Sequence, residues 1–154
     1  MNSDPNKITV KDIMTKSVIS VDAELNVNEA AKMMEDTKVG AIIVMDNNSP
    51  VGIITDRDFA IKIVAHAYPI TTPVKQIMST PLITIGPEES VWSISGLMNS
   101  RNIRKIPVVD DDKVVGIVTA TDLIKQFATC TEEDMRKMYY HSISEVFSRY
   151  SPYS

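Results

Sequence analysis

Two residue pairs carry the chemistry that the chain can offer. Thr55 and Asp58 stand three apart at the end of "VGIITDRDFA" (51–60), and Thr119 and Asp122 stand three apart in "VGIVTATDLI" (115–124). Two chemistries fit a Thr-x-x-Asp that follows an apolar run. The first is local: a threonine N-cap with an acidic residue three positions on forms a capping box, worth about 1 kcal/mol for the cap. Thr131 and Asp134 have the same spacing without the repeated surroundings, so spacing alone does not separate a cap from a site. The second is recognition. A strand that ends where a helix begins leaves main-chain N–H groups and a threonine hydroxyl for an anion, while a carboxylate accepts hydrogen bonds from a vicinal diol. Phosphate together with a diol describes a ribonucleotide.

The elements that must position these residues are themselves written twice. A shift of 64 superposes residues 10–62 on 74–126 without a gap, and Ile13/Ile77, Met34/Met98, Asp46/Asp110, Gly52/Gly116, Thr55/Thr119 and Asp58/Asp122 coincide. This is an internal duplication. Each copy opens with a short helical piece ("VKDIM", "VKQIM") and passes into a β-branched run ("VISV", "LITI"). An amphipathic helix follows over 26–38 and 90–101. Two further strands, 41–45 with 51–55 and 105–109 with 114–118, are joined by the turn formers "DNNSP" and "DDDK", which predicts hairpins. A closing helix starts near Asp56 and near Ala120. The order is β-α-β-β-α twice, an α/β (α+β) chain. One such unit buries only a marginal core, so the two copies, 8–68 and 72–128, are expected to pack as a pseudo-twofold pair with a cleft between their sheets. Residues 131–150 lie outside the repeat and read as a helical tail, with Met135, Tyr139, Ile143 or Ser142, Val146 and Tyr150 on one side.

Composition narrows the function. Sixteen basic and 20 acidic residues over 154 give a formal charge of −4, which lacks the electrostatic footprint of a nucleic-acid binder. The opening "MNSDPNK" has no apolar signal core, and "VGAIIVM" at 39–45 is too short to cross a bilayer, so a cytoplasmic location and no membrane partner are expected. Cys130 is the single cysteine, which excludes an intrachain disulfide and a cysteine zinc cluster. There is no Walker loop and no metal-spaced histidine pair: His66 and His141 stand far apart. Trp92, opposite Asn28 in the repeat, reads as packing rather than a base-stacking platform.

The order of "V-x-x-I-M", "VGAIIVMD" or "IRKIPVVDDD", and G-h-h-T-x-x-D, repeated at constant spacing, resembles a tandem pair of CBS domains, the cystathionine-β-synthase-type repeats that associate as a Bateman module. The resemblance covers about residues 8–128. It implies a regulatory module without catalysis that holds AMP, ADP, ATP or S-adenosylmethionine between its repeats. Carried onto this chain, it implies ribose on Asp58 and Asp122, with Thr55 and Thr119 beside them. It implies a base among Ser17, Val18 and Ile19 or Pro81, Leu82 and Ile83, together with Ala41 and Ile42 or Ile106 and Pro107. Phosphate falls to Arg104 and Lys105 of the second copy, where the first has Gly40 and Ala41. The first copy instead carries Arg57, opposite Thr121. Asp122 with Arg104 is expected to be the better-defined site, although Arg101, Arg104 and Lys105 also read as a solvated edge. A homodimer and an unnamed protein partner are implied, and a ligand-free interaction module docking through its tail is the alternative.

Overall fold

A computed structural model describes residues 7–137 together with 139, 140 and 144. The first copy contains α1 (Val10–Ile13), β1 (Ser20–Asp22), α2 (Val27–Thr37), β2 (Ala41–Asp46), β3 (Ser49–Thr55) and α3 (Asp56–Asp58), which continues as a π-helical stretch, Phe59–Val64. The second contains a 3-10 turn (Val74–Gln76), α4 (Val91–Arg101), β4 (Lys105–Asp110), β5 (Lys113–Thr119) and α5 (Ala120–Ala128). Asn26 and Ser90 cap α2 and α4, accepting from the N–H groups of Glu29 and Ser93 at 3.0 and 3.3 Å. Both hairpins form as the turn residues predict. Asn47 and Asn48, like Asp111 and Asp112, take positive φ, the geometry of a tight turn that matches strand twist. Both hairpins also share one irregularity, between Val44 and Met45 and between Val108 and Val109.

The copies differ at their first strand. In the first, β1 pairs in parallel with β2, giving the order β1-β2-β3. In the second, the expected strand shrinks to one parallel bridge, Ile85 to Val108. The reason is two missing donors. Ile43 and Ala23 each donate a main-chain N–H across this ladder, to Ile19 and Met45, both at 2.9 Å. A shift of 64 puts Pro107 and Pro87 in their places, and proline has no N–H to give. Only the two bonds that need no proline donor survive, Ile85 N–H to Pro107 O (3.1 Å) and Val109 N–H to Ile85 O (2.9 Å).

Packing exchanges the opening segments. Val74 and Ile77 sit in the first core with Val21, Ile42 and Ile54, while Val10 sits in the second with Val91, Ile94 and Ile106. Reciprocal main-chain bonds fasten each exchange: Ser79 pairs with Ile53 (2.8 and 3.2 Å), and Thr15 pairs with Ile117 (both 2.9 Å). Gly52 and Gly116 make room. A Cβ on either would lie 2.6 Å from the Sδ of Met78 or Met14 and 3.0 Å from the carbonyl oxygen of Ser79 or Thr15. The glycine of the repeated "VGI" is thus the seat of the crossing segment.

Trp92 packs against the second core and lies 6.5 Å from the Phe127 ring. In the tail, residues 132–137 are helical, and Thr131 and Asp134 form a capping box there. Met135 and Tyr139 are exposed, and Ser142, Ile143, Val146 and Tyr150 lie outside the described residues. Among the described residues no helix is long and apolar enough to cross a membrane.

Candidate functional site

Both Thr-x-x-Asp pairs are caps in the fold, and they differ in what else they hold. Oδ2 of Asp122 accepts from the main-chain N–H of Thr119 (2.8 Å) and from its hydroxyl (2.9 Å), and the Asp122 N–H reaches back to Oγ1 at 3.2 Å. Oδ2 of Asp58 accepts the same pair from Thr55, at 2.8 and 3.2 Å. Asp58 is the more enclosed, 8% exposed. Its other oxygen, Oδ1, meets the Lys62 ammonium at 2.9 Å and the Ser79 hydroxyl at 3.4 Å. Ser79 is there because the crossing segment pairs with β3. Lys62 is there because it lies one helical turn beyond Asp58, and it also donates to the carbonyl of Ile77 at 2.6 Å.

A cavity of about 730 Å³ opens over this carboxylate. Its first side is the end of β3 and the start of the following helix, with Thr55, Arg57, Asp58 and Lys62. Its second side is the corner before β4, with Asn102, Arg104 and Lys105. The Lys105 ammonium crosses between the copies, donating to Gly40 O at 2.8 Å and pairing with Asp56 at 3.3 Å. Four cationic side chains, Arg57, Lys62, Arg104 and Lys105, therefore face two carboxylates, Asp56 and Asp58, in a chain that is acidic as a whole. The volume suits a nucleotide-sized ligand. Among the described residues no three His, Cys, Asp or Glu side chains gather to hold a metal ion.

The CBS domain pattern matches residues 10–65 and again 74–129. The chain belongs to the CBS domain family. It is 40% identical over 115 residues to the CBS domain-containing protein YhcV of Bacillus subtilis, spanning 75% of this chain and 82% of that one. Among solved structures, an uncharacterized conserved protein from Pyrococcus horikoshii superposes with a TM-score of 0.75 at 29% identity, covering 82% of this chain and 97% of that one. The CBS domain pair of protein MJ0100, solved in complex with 5′-methylthioadenosine and S-adenosyl-L-methionine, gives 0.71 at 34% identity, with 78% and 99% covered.

Of the residues singled out from the sequence, the CBS pair brings Thr55, Arg57, Asp58, Arg104 and Lys105 to one cavity. Arg104, placed beside Asp122 by the sequence reading, faces Asp58 instead, because the corner before β4 lies across the pseudo-twofold from Gly40 and Asp56, as the Lys105 contacts show. Thr119, Thr121 and Asp122 do not line this cavity, nor do Ser17, Val18, Ile19, Pro81, Leu82 and Ile83. The Ile42 and Ile106 side chains belong to the two cores, at 0% exposure, and Pro107 is buried with Ile106, while Ala41 is half-buried at the start of β2. Lys62 and Ser79 escaped the sequence reading. The i, i+4 spacing of Asp58 and Lys62 is a signal for the first; Ser79 has none, since it arrives by segment exchange.

Proposed function

We propose that this CBS pair is a regulatory module without catalysis that binds an adenine nucleotide, AMP, ADP or ATP, in the Asp58 cavity and passes its occupancy on through a homodimer interface or a separate protein partner. The observation that carries the reading is one cavity holding a buried carboxylate, Asp58, and four cationic side chains. A carboxylate accepts from a ribose diol, and cations take phosphate, so both ends of a nucleotide find complementary groups. The MJ0100 pair, whose structure carries two adenosine compounds, supports the adenosine class. In this reading Asp58 receives the ribose with Thr55 and Ser79 beside it, and Arg57, Arg104 and Lys105 face the phosphates.

The test is the melting temperature with AMP, ADP, ATP, S-adenosylmethionine and NADH, for the parent chain and for Asp58→Ala. A ligand at 100 times its Kd stabilises the fold by about 2.7 kcal/mol, a shift of a few degrees at this size. The expected result is a shift with adenine nucleotides that Asp58→Ala removes. A shift with none of the five overturns the reading and leaves the interaction module, whose exposed Met135 and Tyr139 are the first residues to test for partner contact.

A further inference from the structure

The two halves of this CBS pair carry their cations at different positions. Every cation of the Asp58 cavity has a neutral residue at the matching position of the other copy. Thr121 stands for Arg57, Gln126 for Lys62, Gly40 for Arg104 and Ala41 for Lys105. Asp58 and Asp122 are the same residue in the same cap, so the copies keep the diol acceptor in common. The other copy has its own cations where this lining is neutral, Lys125 for Ile61 and Lys38 for Asn102. The halves therefore differ in where a cation stands, and only the Asp58 half has one at the i+4 position.

Lys62 occupies the critical place among these cations. Oδ2 of Asp58 is committed to Thr55, so a diol must use Oδ1, where Lys62 already sits at 2.9 Å. A ligand that brings only a diol adds donors to an oxygen that already holds a cation, and gives Lys62 nothing in exchange. A ligand that also brings phosphate offers Lys62 an anion on the same cavity wall. A charge-assisted bond of that kind is worth about 1.5–3 kcal/mol, on the order of tenfold or more in affinity.

We infer that Lys62 is a specificity-determining residue: it neutralises Asp58 in the structure and turns to the phosphate of a bound nucleotide, so the Asp58 cavity selects phosphorylated over unphosphorylated adenosine compounds. This rests on the nucleotide reading above. Arg57, Arg104 and Lys105 supply charge as well, but of the four cations Lys62 is the one paired with the Asp58 carboxylate, on the oxygen that Ser79 also reaches.

The experiment is titration calorimetry of the full chain with ADP and with adenosine, for the parent, Lys62→Gln, Lys62→Arg and Arg104→Ala. Glutamine is the residue that the other copy carries at this position, and Arg104 is exposed, so one variant or the other remains readable if the first folds poorly. The parent is expected to prefer ADP by at least about tenfold. In Lys62→Gln the ADP affinity falls about tenfold while adenosine binds as well or better, and Lys62→Arg restores the preference. Arg104→Ala lowers the ADP affinity and leaves adenosine unchanged. Equal affinity of the parent for both compounds, or an equal loss of both in Lys62→Gln, overturns the inference and leaves the nucleotide reading standing. Binding of neither compound overturns the nucleotide reading, and the inference with it.

Discussion

At the scale of single residues, one arrangement does two jobs. The Thr-x-x-Asp carboxylate ties down the start of a helix through one oxygen and leaves the other for something else. At Asp58 that second oxygen carries Lys62 and Ser79. At Asp12, which forms the same box with Thr9, the main-chain N–H and hydroxyl of the threonine hold the carboxyl below its usual range. The sign of the pH effect follows. A carboxyl whose folded value is depressed contributes stability fully above its unfolded value, 3.8, and loses it as pH falls through the folded value. Urea midpoints measured between about pH 5 and pH 3 should therefore fall, and Asp12→Asn should flatten that fall while leaving the acid transition of the rest of the chain in place. An unchanged slope in the variant would remove Asp12 from the account.

Among the elements, the hairpins, the amphipathic helices and their caps were readable because each is dictated locally: turn formers between β-branched runs, and Asn or Ser ahead of an apolar stripe. What could not be read is what arrives from elsewhere. Gly52 and Gly116 look like strand glycines in the sequence, yet their role is set by Met78 and Met14, which reach them only through segment exchange. Gly52→Ala and Gly116→Ala should each destabilise the fold by about 1–3 kcal/mol, because the crossing backbone as well as a flexible methionine must shift. Chemical denaturation reads this directly, and a cost near zero would show that the crossing segment is loosely seated. The loss of the second copy's first strand was written in Pro87 and Pro107, but it becomes legible only when the ladder they interrupt is known from the other copy.

The whole molecule joins two cores by trading their opening segments, so each repeat depends on the other for its own interior. Val10 precedes the first repeat's sheet and lies at 0% exposure in the second repeat's core. Val10→Ala should cost about 1–3 kcal/mol, and hydrogen exchange should show the loss of protection concentrated in β4 and β5 rather than in β1 to β3. Protection lost first from β1 to β3 would contradict the exchange. The same trade builds the site. It brings Ser79 to Asp58, and the pseudo-twofold brings Arg104 and Lys105 to a cavity whose carboxylate belongs to the other copy. Sequence alone recovered the duplication, the caps and five of the residues that meet in this cavity. It paired Arg104 with the wrong neighbourhood because an offset of 64 relates the copies without saying which corner faces which. The most direct test of the nucleotide reading is a crystal structure of the chain grown with ADP. On that reading the ribose hydroxyls are expected within hydrogen-bond distance of Asp58 Oδ1 and the phosphates among Arg57, Lys62, Arg104 and Lys105. ADP seated on Asp122 instead, or a cavity over Asp58 that holds no nucleotide at saturating concentration, would contradict it.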